Sequence, residues 1–365
     1  MIYLDHAATS HPKPDVVIDA VARWFREVGV SPNRGGGPQT RGCVETFQRV
    51  RRAIAARTGH SPHRVALCSG ATEGLNLALR ALATTDTHVL TTCYEHSSVV
   101  RPLHALQPVR NLRITRVSST DEICRRLSAG EGDLVVMTHA SNVTGELFDA
   151  GSVAAAARAR GIPMILDASQ TAGYHRLNCG ASVVVASAHK ALHGPPGLGF
   201  VSATDELELA PQKYGGTGSS AALDQHPSAW PQAFEAGTPN TPAVYGLAAA
   251  LEWIDQRGET ALLRAAQAPM AHLVARLKEL PDVKIFYGAD AQDLPVVSLV
   301  HQRFDPAELG AVLAGAGVHC RDGFHCAPWI HDHLGTTAGG TLRISSGPMT
   351  TADDIDLLVD TLRSL

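Results

Sequence analysis

No stretch of this chain holds the about 18 consecutive apolar residues that a membrane-spanning helix needs, so no transmembrane helix is expected. The opening MIYLDHAATSHPKP carries an acid and a histidine early and lacks the apolar core of a secretory signal. Long basic runs are missing too, and the formal net charge is -4. Nucleic acid and anionic membrane surfaces are therefore not expected as main partners. No Cys-x-x-Cys pair occurs, which weakens a structural zinc site. The seven cysteines, at 43, 68, 93, 124, 179, 320 and 326, are odd in number and scattered. A chain of 365 residues needs no disulfide framework, so reduced, mostly buried thiols are expected. These absences together describe a cytoplasmic protein.

Hydrophobic residues make up 44% and charged residues 18%, as in an ordinary globular protein. The length fits a large domain plus a smaller one. Strand-like runs (RVALC, HVLTTCY, DLVVMTHA, IPMILD, SVVVAS, GLGFVSA) alternate with helical stretches such as ATEGLNLALRALA and SVAAAARARG. Their continuous apolar character predicts strands covered on both faces of a mostly parallel sheet, an α/β architecture. PNTPAVYGLAAALEWID reads as a helix with proline early in it, and ALLRAAQAPMAHLVARLKEL as a linking helix. VKIFYG, LPVVSLVHQ, PAELGAVLAGAG and TLRISSG then suggest a small α+β unit. The expected boundaries are 13–260 for the large domain, with 1–12 and 261–365 forming the small one.

Ligands of open α/β sheets bind beyond the carboxyl ends of the strands. There, SGATEGLN is a small-residue turn opening a helix, suited to a phosphate, with Ser69 or Thr72 adding a hydroxyl. An ordinary helix cap looks the same. Asp167 ends IPMILD, with Gln170 close behind, and it too reads equally as a cap. His189 and Lys190 stand between an apolar strand and a Gly-Pro loop. A dry lysine there has a lowered pKa and suits imine formation with an aldehyde. A phosphate cradle, an acid and a buried lysine are the parts that hold pyridoxal 5'-phosphate. Separately, RDGFHCAPWIHDH packs Arg321, His325, Cys326, His331 and His333 into a short segment. It reads as a metal site, a nucleophilic cysteine on a loop, or a solvated histidine-rich surface.

YLDHAATS, PNRGG, SGATEGLN, YEHSSVVRP, SNVTG, LDASQTAG, SAHK, FEAGTPNTP, RDGFHCAP and TLRISSG follow one another nearly end to end. This ordered set resembles the class V pyridoxal-phosphate enzymes of aminotransferase fold type I, and among them the cysteine desulfurases. The R-x-G-x-H-C-A-P segment is similar to that of the branch related to selenocysteine lyases.

The resemblance implies a large domain with a seven-stranded-type, mostly parallel sheet, a small α+β domain carrying the cysteine loop, and a homodimer. It implies Lys190 as Schiff-base lysine and Cα base, Asp167 on the pyridine nitrogen, and Gln170 on the phenolic oxygen. His96 would stack on the ring, and Asn142 would sit near the same oxygen and the substrate. Ala71 and Thr72 of the turn, Ser187 and His189 would bind phosphate, completed by Gly237 and Thr238 of the second subunit. Arg343 would pair with the substrate carboxylate, a task for the guanidinium fork, with Arg34 and Arg321 at the mouth. Cys326 would take sulfur from L-cysteine, through an external aldimine, as a persulfide, releasing L-alanine. The sulfur would then pass to an acceptor protein or a small thiol. Attack needs a thiolate, and Arg321 and His325 are the neighbours expected to support it.

Two departures stand out: Ala71 occupies a position where many members carry threonine, and Phe324 one where related enzymes often have a second histidine. Other readings of the same residues are a C–S lyase making pyruvate, a selenocysteine lyase, or a metal site of His325, Cys326, His331 and His333. His331 and His333 would share a face only in a strand, and solvated loop positions are expected for both. No metal is expected.

Overall fold

In the computed structural model, residues 1–32, 35–218 and 224–365 are described. Arg34 lies outside them. Seven strands form the main sheet, in the order Val65–Cys68, Gly199–Ala203, Val183–Ser187, Met164–Asp167, Leu134–Thr138, His88–Thr92 and Arg113–Val117. All neighbours pair in parallel except those of Gly199–Ala203, which runs against both of its partners. Every residue of the six strands before the Arg113–Val117 edge is buried, as runs such as VVVAS and LVVMT require. Two hydrophobic clusters form the core, one including Val135, Leu166 and Phe200, the other Val136, Ile165 and Val201. Consecutive residues of one strand thus feed opposite clusters, the two-residue period of a pleated strand.

The antiparallel Gly199–Ala203 strand depends on a close approach. A Cβ at Gly199 would lie 2.7 Å from the backbone of Gly70 and 2.7 Å from the Ala186 carbonyl oxygen. Gly199→Ala is expected to lower stability by about 1–3 kcal/mol, as overpacking does, in urea unfolding. Because the displaced backbone is Gly70, anion binding at the adjoining helix start should weaken as well.

A second, four-stranded antiparallel sheet runs Arg321–Gly323, Thr341–Ser345, Val296–His301, Val283–Tyr287. Its own cluster includes Leu299, Leu309, Leu342, Ile344 and Leu358. The helix Glu259–Leu277 joins the two bodies: Leu262 and Leu263 pack with the large sheet, Leu273 and Leu277 with the small one. The chain's first residues return to this region, Ile2–Tyr3 pairing in parallel with Val318–His319 and Asp5 bridging to Ser345. Among the described residues no helix is long and apolar enough to cross a membrane.

All seven cysteines are free, but burial is less general than expected. Cys43 and Cys68 are buried, four are partly covered, and Cys326 alone is exposed.

Candidate active site

A cavity of about 230 Å³ lies beyond the carboxyl ends of the parallel strands. Asp167 ends one strand and forms part of the lining. Its Oδ1 accepts from the Ser169 hydroxyl at 2.6 Å and the Ser169 backbone N–H at 3.0 Å. Its Oδ2 has no donor among the described residues, so the carboxylate is oriented by one oxygen and available through the other. Gln170 donates through Nε2 to the Ala7 carbonyl at 2.9 Å.

At one end of the cavity the helix Ala71–Leu82 begins, with Gly70 before it and no side-chain cap. First-turn N–H groups of a helix have no partner within the helix. That of Ala71 donates to Ser187 Oγ at 3.0 Å. The Thr72 and Ser98 hydroxyls pair at 2.7 Å, and all of these residues line the cavity. This end combines hydroxyls, backbone donors and the positive end of a helix, the requirements of an anion site.

His96 caps the helix Ser97–Arg110, its Nδ1 accepting from the Ser98 N–H at 3.1 Å. Burial first, then the charges of Lys190 and Arg321, push its pKa to about 3. The ring is therefore neutral, fixed in orientation, and able to lie against an apolar or aromatic face. Lys190 lines the cavity with no hydrogen-bond partner for Nζ among the described residues. Burial pulls its pKa below the usual lysine range, Asp167 opposes, and Arg343 adds to the fall. Beside it, His189 is lowered to about 4, by burial and then by Lys190 and Lys13.

On the small-sheet side, Arg343 is 1% exposed and held from two directions. Nη2 donates to Asp5 Oδ1 at 2.6 Å, and Nη1 to the Asn142 carbonyl at 2.9 Å. Its Nε–H is buried without a partner among the described residues, a donor still to be satisfied. Asn142 in turn donates through Nδ2 to the His325 carbonyl at 2.7 Å.

Arg321 lies directly opposite Arg343 on the adjacent strand, and its Nη2 donates to Cys326 Sγ at 3.3 Å. Cys326 stands outside the lining, at the rim. It and His325 both have left-handed backbones, with φ of 57° and 51°, a strained pair for residues with side chains. The Cys326 carbonyl accepts from the Ser97 N–H at 2.6 Å, tying the loop to the helix that His96 caps.

His325 does not serve the thiol as expected. Its Nε2–H donates to the Thr341 carbonyl at 3.0 Å, and its Nδ1 is buried with no partner among the described residues. Burial, then Arg343, drives its pKa down to about 2, so the ring is neutral and lends Cys326 no charge. His331 corrects the expectation of a solvated loop. It sits in the helix Pro328–Leu334, is 0% exposed, and has Thr336 Oγ1 at 2.8 Å and the Phe324 carbonyl at 3.2 Å. His333 is exposed, as expected, but helical. Among the described residues no three His, Cys, Asp or Glu side chains converge as a metal site.

The cavity thus gathers Ala71, Thr72, His96, Asn142, Asp167 and Gln170 with Ser187, His189, Lys190, Arg321 and Arg343. Gly237 and Thr238 do not reach it in their own chain. They border two neighbouring grooves instead, Gly237 both and Thr238 one. Sequence reasoning missed Asp5, Ser98, Thr138 and Ser169. Ser98 was within reach, being two residues past His96, the expected ring contact in YEHSS. Asp5 was not, since only the fold brings it to Arg343.

The available groups make a consistent set: an open carboxylate oxygen, an unpaired lysine amine and an anion cradle. They fit a phosphorylated aldehyde with a basic ring nitrogen. The family model for "Aminotransferase class-V" matches residues 2–358. A protein of Cronobacter sakazakii named cysteine desulfurase is 28% identical over 378 residues, covering 98% of this chain and 92% of its own. One of Xylella fastidiosa, named probable cysteine desulfurase, is 28% identical over 383 residues, with 99% and 90% covered. Among solved structures, an apo cysteine desulfurase of Thermococcus onnurineus superposes with a TM-score of 0.92 at 24% identity, over 100% of this chain and 94% of that one. A cysteine desulfurase of Escherichia coli gives 0.87 at 22% identity, over 99% and 94%.

Proposed function

This chain belongs to the aminotransferase class-V family, and on that footing we propose that it is a cysteine desulfurase whose cofactor is pyridoxal 5'-phosphate. The observation that carries the reading is the exposed Cys326, hydrogen-bonded by Arg321, at the rim of a cavity holding Lys190 and Asp167. Asp167, Lys190, His96 and the Ala71–Thr72–Ser187 cradle, with His189, are the residues that would hold the cofactor. When bound, it would supply an electron-withdrawing ring that makes Cα acidic.

The remaining steps belong to the side chains. Arg343, and Asn142 beside it, receive the substrate carboxylate, for which the unpaired Nε–H of Arg343 is ready. Lys190, its proton affinity lowered by burial, takes the Cα proton as a neutral amine. The Cys326 thiolate, facing the guanidinium of Arg321, attacks the substrate sulfur. A sulfur–sulfur bond forms, the Cβ–S bond breaks, and its electron pair ends in a new C–H bond. The Cys326 proton is thereby exchanged for one on the substrate, giving L-alanine and a persulfide. The exposed position of Cys326 suits delivery to a sulfur-acceptor protein or a small thiol.

A homodimer belongs to this reading, with the partner's Gly237 and the partner's Thr238 at the phosphate. Supporting it, both residues stand away from their own chain's cavity. So does a division into 13–260 and 1–12 plus 261–365, supported by two sheets with separate cores. Cytoplasmic residence also belongs to it, in keeping with thiols that are all free.

The test supplies L-cysteine to the purified enzyme and quantifies products. Equal amounts of alanine and of sulfur on Cys326, seen by peptide mass, are expected. Pyruvate and ammonia would replace this reading with a C–S lyase, and turnover confined to L-selenocysteine with a selenocysteine lyase.

A further inference from the structure

A second, smaller cavity of about 20 Å³ shares Ala7, Gln170 and Lys190 with the first. His6, Ser10, Gln170, Lys190 and Ser345 bring polar groups to it. Its size suits a single water, which needs roughly 10–15 Å³ and two to four polar partners. His6 is 9% exposed, and its Nδ1 is buried with no partner among the described residues. From the opposite side, Lys13 donates through Nζ to Ser10 Oγ at 2.6 Å and to the His189 carbonyl at 2.7 Å. Lys13 is only partly buried and so reaches solvent.

We propose that this cavity holds one water, and that Lys13, Ser10 and the water form the proton path between Lys190 and solvent. In the inward direction Lys13 passes a proton to Ser10 Oγ along the hydrogen bond already present. Ser10 turns its hydroxyl from the His189 carbonyl and gives that proton to the water, which gives one to Lys190. The outward direction reverses each transfer, so no atom is gained or lost. Burial pulls Lys13 down to about 8, which lets it hold or release a proton near neutrality. Lys190 needs such a path because the proposed reaction, on which this inference rests, draws one proton from Cys326 and places one on the substrate.

A purely structural role is the rival, since Lys13 Nζ, Thr9 Oγ1 and Ser10 Oγ all bond the His189 carbonyl next to Lys190. Lys13→Arg separates the two. A guanidinium keeps the hydrogen bond to that carbonyl but does not deprotonate. Ser10→Ala removes the middle of the path together with its own bond to that carbonyl, and leaves the bonds from Lys13 and Thr9. Exchange of the Cα hydrogen of L-alanine with D2O, followed by NMR on the cofactor-loaded enzyme, is expected to fall about tenfold in either variant. Thermal melting should be close to wild type in both. In a high-resolution crystal structure, a water should lie within hydrogen-bond distance of Lys190 Nζ and Ser10 Oγ. Wild-type exchange in both variants, or a crystal cavity without that water, overturns the path. Failure of the wild type to make alanine from cysteine would instead overturn the functional reading.

Discussion

Lys190→Ala is expected to lower conversion of L-cysteine to alanine by about 10⁴-fold, in a protein that folds. No other amine lines the main cavity, so nothing else there takes the Cα proton from the same position. Exchange of the L-alanine Cα hydrogen should vanish together with turnover. The cofactor-free variant should also be more stable than the cofactor-free wild type. Lys190 is partly buried, has no hydrogen-bond partner among the described residues, and its pKa lies below that of an unfolded lysine. Below the folded value the lysine is charged in both states, and burying that charge costs its full penalty. As pH rises from the folded value towards the unfolded one, the native amine is neutral and the penalty fades. The stability gap between variant and wild type should therefore be widest at low pH and close as pH approaches the ordinary lysine range. Thermal melts across pH measure this, and a gap that widens with pH would contradict the assignment.

Cys326→Ala should lower sulfur transfer by at least about 10³-fold, the scale of losing a nucleophile, and leave no persulfide on the protein. Unlike Lys190→Ala, it should keep L-alanine Cα exchange near the wild-type rate, because proton removal precedes attack on sulfur. The two variants thus divide the reaction at a definite step. Alanine and sulfide released at an undiminished rate would remove Cys326 from the role. The exposed thiol carries little packing, so stability should be nearly unchanged. Arg321 is the neighbour that contributes charge here, through its 3.3 Å hydrogen bond to Sγ, since His325 is neutral.

Residues adjacent along the chain made much of this legible before any coordinates. Runs such as VVVAS suggested strands covered on both faces, and Asp167 and Lys190 stood out near strand ends, whereas Ser187 came only from the family resemblance. What stayed hidden depends on pairings across the fold. The reversed strand Gly199–Ala203 looks like any other apolar run, because direction leaves no trace in composition. His331 looked solvated among charged neighbours, yet a helical turn places it inside, against Thr336 and Phe324. Glu95, 0% exposed and raised by burial to about 8, sits beside His96 in the sequence and gave no sign of being a neutral acid. Cys326 drew attention through its neighbours. The left-handed backbone beneath it was invisible, because nothing but glycine announces such a conformation in sequence.

The ion pair of Asp5 with Arg343 also sets an order of events. Its partners are 338 residues apart. Around it, the Ser345 N–H donates to the Leu4 carbonyl, and Ala7 N–H donates to Ser345 Oγ at 2.9 Å. All seven strands of the large sheet are complete by residue 203, and the helix Thr241–Arg257 then adds to the core on one face. On a ribosome, then, the strands of the cofactor-facing sheet are all present while residues 2–6 still wait for their partners. The carboxylate pocket closes only once strand Thr341–Ser345 has emerged, so the catalytic centre is completed late in synthesis.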